Sequence, residues 1–202
     1  MTTELFFEGL TAIFYLTSLT LLLPGAATML IARTESASAA VGFSLAAILV
    51  SWLRFSGNLS EPLSQVLAAA LAVAIVGLVV PLVRQVNIVT GAAGALSGGV
   101  AALVWWPALG TYAGPLFVDL PDDGAKGLAH LAVYMIGILV PLILGASALA
   151  IVPNTATLPF RPLMLFGGGG VLCLFALLLF TGTMADVTNW LAESTIESLA
   201  KS

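Results

Sequence analysis

The sequence predicts an all-α integral membrane protein: six transmembrane helices in two inverted three-helix repeats, with the first and fourth helices broken at proline. Three observations carry this expectation. Hydrophobic residue types fill 60% of the 202 positions and charged types only 8%, whereas a soluble domain is about a quarter charged. Six apolar stretches each approach or exceed the ~20 residues that one crossing needs. Proline and glycine interrupt the first and fourth stretches, the two that run longest relative to a single crossing.

The first stretch, residues 5–31, follows Met1-Thr2-Thr3-Glu4, which has no basic n-region. With no small-residue cleavage site after a short apolar core, it reads as a retained span and not a signal peptide. Arg33-Thr34-Glu35-Ser36 separates it from the second stretch, 37–55, and the segment Gly57 to Pro62 precedes the third, 63–83. Pro81 and Arg84 close the third, and the fourth runs over 88–117. Pro121-Asp122-Asp123-Gly124 precedes the fifth, 128–152, where Gly137, Pro141 and Gly145 recur every fourth residue. Pro153, Pro159 and Pro162 precede the sixth, 163–184, which carries the run Gly167 to Gly170. Connections this short make one transmembrane domain over 1–184, with repeats at about 5–84 and 88–184, followed by a tail over 185–202.

Proline removes a ladder donor and its ring clashes with the preceding turn. Helix breaks are therefore expected at Pro24-Gly25, at Pro107 with Gly110 and Gly114, and at Pro141. Backbone groups freed at membrane depth are tolerated only inside protein or along a wet cavity. Breaks at matching positions of two halves point to an inverted repeat around a central site. Three crossings per half are an odd number, so the second half starts from the opposite side. Gly94 and Gly98, like Gly110 and Gly114, form GxxxG pairs of the kind that let helix backbones approach closely in lipid.

In the tail, Val187, Trp190 and Leu191, then Ile196, Leu199 and Ala200, fall at helical spacing. This reads as an amphipathic helix in the interface, anchored at headgroup level by Trp190, or as a docking helix for a partner. Orientation rests on basic residues. Arg33, Arg84 and Arg161 lie densely on one set of connections, while Arg54, Lys126 and Lys201 are spread over the other, so the first set is placed in the cytoplasm and both termini outside.

Several function classes are excluded. A net charge of −4 opposes nucleic-acid binding, which needs a basic face. One cysteine rules out an internal disulfide and a Cys-rich zinc site; Cys173 reads as a small buried hydrophobe. No Gly-rich loop with the Lys-Ser or Lys-Thr of a phosphate site is present. No acid or lysine lies near a bilayer midplane to carry protons: Glu8 reaches the outer interface and Arg54 snorkels. His130, the single histidine, has no second histidine to share a haem or metal and reads as a satisfied interfacial residue. Neither a cofactor nor a metal is expected. Uncharged polar groups remain around the two breaks: Thr17, Ser18 and Thr20 in the first stretch, and Ser97, Thr111 and Tyr112 in the fourth. They are candidates to line a cavity for a neutral solute, or to satisfy the carbonyls that the breaks release.

The layout resembles the membrane domain of the CcdA and DsbD thiol–disulfide carriers of cytochrome c biogenesis. Leu22-Leu23-Pro24-Gly25 is similar to the end of that family's first-helix motif. Trp105-Trp106-Pro107-Ala108-Leu109-Gly110-Thr111-Tyr112-Ala113-Gly114 is similar to its fourth-helix pattern, and Tyr134 to Pro141 to its fifth-helix stretch. The resemblance implies two inverted repeats in the bacterial inner membrane, with both termini on the periplasmic side. It also exposes a departure: the family's two cysteine positions fall on Ser18 and Ala108. A dithiol carrier needs two thiols able to form one disulfide, so the resemblance implies a scaffold without its reaction. Three readings follow: a redox-silent structural or accessory subunit whose partners are the bilayer and other membrane-protein subunits; a transporter of a small neutral solute; and a thiol–disulfide carrier that borrows thiols.

Overall fold

Ile13-Phe14-Tyr15 places a β-branched and two aromatic side chains in a row, all modest helix formers, and there the first apolar stretch turns. In the computed structural model, which describes residues 2–60, 66, 67, 70, 74, 87–107, 111–152 and 160–200, helix α1 (Thr2–Ala12) ends just before these residues. A 3-10 turn, Leu16–Ser18, leads into α2 (Leu19–Ala32), and the two arms meet at 85°. A second 3-10 turn, Arg33–Glu35, connects to α3 (Ser36–Phe55). The remaining helices are α4 (Asn87–Val104), α5 (Ala113–Ile151), α6 (Arg161–Phe180) and α7 (Met184–Ala200).

Among the described residues, three helical segments are long and apolar enough to cross a membrane: Ser36–Phe55, Ala113–Ile151 and Pro162–Phe180. The bent pair of α1 with the turn and α2 makes a fourth if taken as one span. These helices mark a multi-pass membrane protein. Within α4 the apolar segment Thr90–Val104 is shorter than a full crossing, and the expected third span, 63–83, lies largely outside the described residues. Val41, Leu45, Leu49 and Leu53 are exposed every fourth residue along α3, and Leu163, Phe166, Leu174, Leu177 and Phe180 are exposed on α6. Such apolar stripes suit hydrocarbon and not water.

Glycine sets the helix contacts. A Cβ at Gly94 would strike the Ala39 carbonyl, one at Gly98 the Phe43 carbonyl, and one at Gly42 the Gly91 carbonyl. Contacts that advance together along both chains mean that α3 and α4 run parallel, backbone against backbone. Gly9 meets the Tyr134 carbonyl and Gly137 the Phe6 carbonyl, which joins α1 to α5. Gly168 seats α6 on Ala27 and Ile31 of α2. Small residues drive association in lipid because they allow this proximity.

The positions of the breaks correct the proline-based expectation. Pro24 is buried within a continuous α2. It removes the amide that would serve the Thr20 carbonyl, a single ladder bond whose loss membrane helices tolerate inside protein; the Thr28 hydroxyl donates to Pro24's own carbonyl at 2.8 Å. Pro141 likewise lies inside α5; the non-helical residue there is Gly124, at φ 50° and ψ −119°, a conformation that glycine adopts without a Cβ penalty. Gly137 packs against α1, but Pro141 and Gly145 are exposed, so the every-fourth-residue face is only partly a packing face. Gly114 has no neighbour within 4 Å of a built Cβ, and Gly110 lies outside the described residues. Cys173 is exposed, not buried, because α6 turns its inner face to Gly168 and Leu172.

Candidate functional site at the helix breaks

The break of the first stretch is closed by short-range bonds. The Ile13, Phe14 and Tyr15 amides donate to the carbonyls of Leu10, Thr11 and Ala12, three residues back, at 3.4, 3.1 and 3.1 Å. The Ser18 hydroxyl then reaches across the turn to the Ala12 carbonyl at 2.6 Å, and the Thr20 hydroxyl donates to the Thr17 carbonyl at 2.7 Å. Thr17, Ser18 and Thr20 are all buried. Thr17 Oγ1 has no hydrogen-bond partner among the described residues.

The fourth stretch also stops. Helix α4 ends at Val104, Trp105 to Pro107 are non-helical, and helix resumes at Ala113. Proline biases the residue before it away from the helical region, so the helix ends ahead of Pro107. Helix α1 reaches this second break through one side chain. The Glu8 carboxylate accepts the Tyr112 amide at 3.1 Å and the Ala113 amide at 2.5 Å. A carboxylate at the first amides of a helix satisfies orphan donors and complements the helix dipole. Glu8 is thus the cap of α5, not simply a group reaching for the interface.

Beside this junction lies an aromatic cluster. Trp105 and Tyr134 are fully buried, with Phe55 and Phe117 edge-on to each other at 4.9 Å and Phe117 edge-on to Tyr134 at 5.9 Å. Arg54 donates to the carbonyls of Ala102 and Trp105 at 3.3 and 2.6 Å, closing the C-terminal turn of α4. Its guanidinium also lies 4.9 Å from the Trp106 ring centroid, a cation–π contact. Arg54 therefore holds two helices together instead of snorkelling free.

The predicted cavity residues do not gather in one place. Ser97 is buried on α4 and accepts the Thr28 hydroxyl at 3.0 Å while donating to backbone carbonyls of its own helix. Thr111 and Tyr112 are exposed, and Ala108 lies outside the described residues. His130 is half-buried, and its Nδ1 has no partner among the described residues, which departs from the satisfied histidine expected. Trp190 is exposed on α7. Sequence reasoning missed Thr28, Glu8 as a cap, and the Trp105–Tyr134 cluster. A hydroxyl four residues after Pro24 was the available signal for the first; the other two depend on contacts distant in sequence.

No protein-family model matches this chain, and no curated protein or solved structure does so either. The chemistry of the breaks therefore rests on their own geometry. Among the described residues no three His, Cys, Asp or Glu side chains come together to hold a metal. The Ser18 hydroxyl donates to the Ala12 carbonyl and bonds to no base among the described residues, whereas a nucleophilic serine needs one. Its role is to bridge the break. Ser18→Ala is expected to destabilise the protein by about 1 kcal/mol, the usual net value of one intramolecular hydrogen bond. The Ala12 carbonyl keeps its Tyr15 amide, which holds the loss to that size. Denaturant unfolding in detergent measures it.

Proposed function

We propose that this chain is a redox-silent inner-membrane protein on a scaffold similar to CcdA and DsbD, serving as a structural or accessory subunit of a larger membrane complex. The observation that carries the reading is the bond from Ser18 Oγ to the Ala12 carbonyl. At the position where the resemblance sets a reactive thiol, this chain has a hydroxyl committed to holding a bend. Apolar stripes on α3 and α6 offer wide surfaces to lipid and to neighbouring subunits.

The six-crossing, inverted-repeat form of the reading draws support from helix directions. Because α3 and α4 run parallel, Phe55 and Asn87 lie at opposite ends of the pair, as a third crossing between them requires. Helix α5 then runs back: the Ser36 hydroxyl at the start of α3 meets the Ala146 carbonyl late in α5 at 2.7 Å, while Phe55 at the end of α3 meets Phe117 early in α5. The bacterial inner membrane and periplasmic termini belong to the same proposal.

The test is a gentle pull-down from native membranes in mild detergent. Co-purification of stoichiometric membrane subunits, retained by Ser18→Ala, is the expected result. A monomer with no partner by mass spectrometry would sink the subunit reading.

A further inference from the structure

We propose that α7 is a hinged lid over a small polar site at the break of the first span, with Thr17 Oγ1 as the hydrogen-bonding group of that site. This goes beyond the subunit reading and does not depend on it.

Helix α7 lies on the 3-10 turn Leu16–Ser18 and also touches α4 and α6, so it bridges the two interrupted stretches. Its inner face is set by Met184, Thr188 and Leu191, all buried. Asp186, Asn189, Trp190 and Glu193 on its other side are exposed. The inner face gives Thr17 little to bond with. Met184 and Leu191 are apolar, and the Thr188 hydroxyl donates to the Met184 carbonyl of its own helix at 2.8 Å.

A buried hydroxyl without a partner carries an uncompensated desolvation cost, which a ligand able to hydrogen-bond would remove. The hydroxyls around the break carry no charge, and the Glu8 carboxylate of the preceding helix is committed to the α5 amides. The chemistry therefore suits a small uncharged solute with one hydrogen-bonding group and not an ion.

The connection between α6 and α7 is short and turns at a glycine. Gly182 sits at φ +75°, a region open to glycine at no steric cost. The flanking hydroxyls of Thr181 and Thr183 pair at 2.9 Å, and both residues are exposed. In this proposal a rotation there lifts α7 off the Leu16–Ser18 turn.

Thiol labelling of the full-length protein in membranes tests the lid. In a Cys173→Ser background, Thr17→Cys is reacted with N-ethylmaleimide, with Ala47→Cys, fully buried on α3, as the reference for general loosening. With the lid intact, Thr17→Cys is expected to label slowly but completely. Leu191→Asp, which puts a charge on the buried face, is expected to raise the rate at least tenfold. The milder Leu191→Ala should raise it severalfold, and Ala47→Cys should not move in either. Equal Thr17→Cys rates across all three lids overturn the proposal. So does a parallel rise at Ala47→Cys in both lid variants, which would mean that α7 is an integral part of the core.

Discussion

Gly98→Val is expected to destabilise the protein by about 3 kcal/mol, at the upper end of what overpacking a well-fitted interior costs. The added carbons would meet the backbone of Phe43, with the carbonyl, carbonyl carbon and Cα all within 3 Å of a Cβ. A backbone cannot rotate aside as a side-chain tip can, so α4 must move away from α3. That movement also disturbs the neighbouring Thr28–Ser97 bond and the Gly94–Ala39 contact. Gly145→Ala supplies the control. Its Cβ would meet nothing within 4 Å, and a helical Gly→Ala change is worth at most about 1 kcal/mol, in the stabilising direction. Unfolding in detergent by SDS titration compares the two. If Gly98→Val proves as mild as Gly145→Ala, the two helices are not in backbone contact.

Arg54→Ala is expected to cost about 2–3 kcal/mol, the range for losing charge-assisted bonds and leaving buried acceptors unpaired. Arg54 serves the carbonyls of Ala102 and Trp105 at once, and its guanidinium plane lies over the Phe55 and Trp106 rings at 5.1 and 4.9 Å. Arg54→Lys should fall between, because an ammonium keeps the charge but not the planar fork. Tryptophan emission gives a second readout, since Trp105 is packed against the same cluster: a red shift in Arg54→Ala accompanies entry of water. Equal stability of all three proteins would show that α4 is capped in another way.

Composition and glycine spacing made much of the fold legible. The pair Gly94 and Gly98 was readable as a close-packing face, and it is one. The partner, α3, was not readable, because nothing in Ala39 or Phe43 distinguishes a receiving backbone. Proline marked Pro107 as a stop but misled at Pro24. The sequence rule concerns one lost bond and one clash, whereas the outcome depends on the packing around the helix, and Pro24 is buried inside a continuous α2. The bend at Ile13 to Tyr15 carries only a weak propensity signal, and what secures it is Ser18 folding back onto Ala12. The polar residues named around the breaks do not form one group. Their separation into a bridged turn, a capped helix and a Thr28–Ser97 pair followed from tertiary contacts alone.

The parallel pairing of α3 and α4 has a consequence for assembly. Helices joined as a hairpin find each other as soon as the second is made, whereas these two cannot. Ala39 and Phe43 leave the ribosome well before Gly94 and Gly98 exist. In that interval α3 stands in the bilayer with a groove shaped for another backbone and filled only by acyl chains. Contacts between distant parts of a chain form slowly because loop closure must come first. The groove on α3 is thus the part of the nascent protein most open to a wrong partner, and the arrival of α4 is the step that closes it.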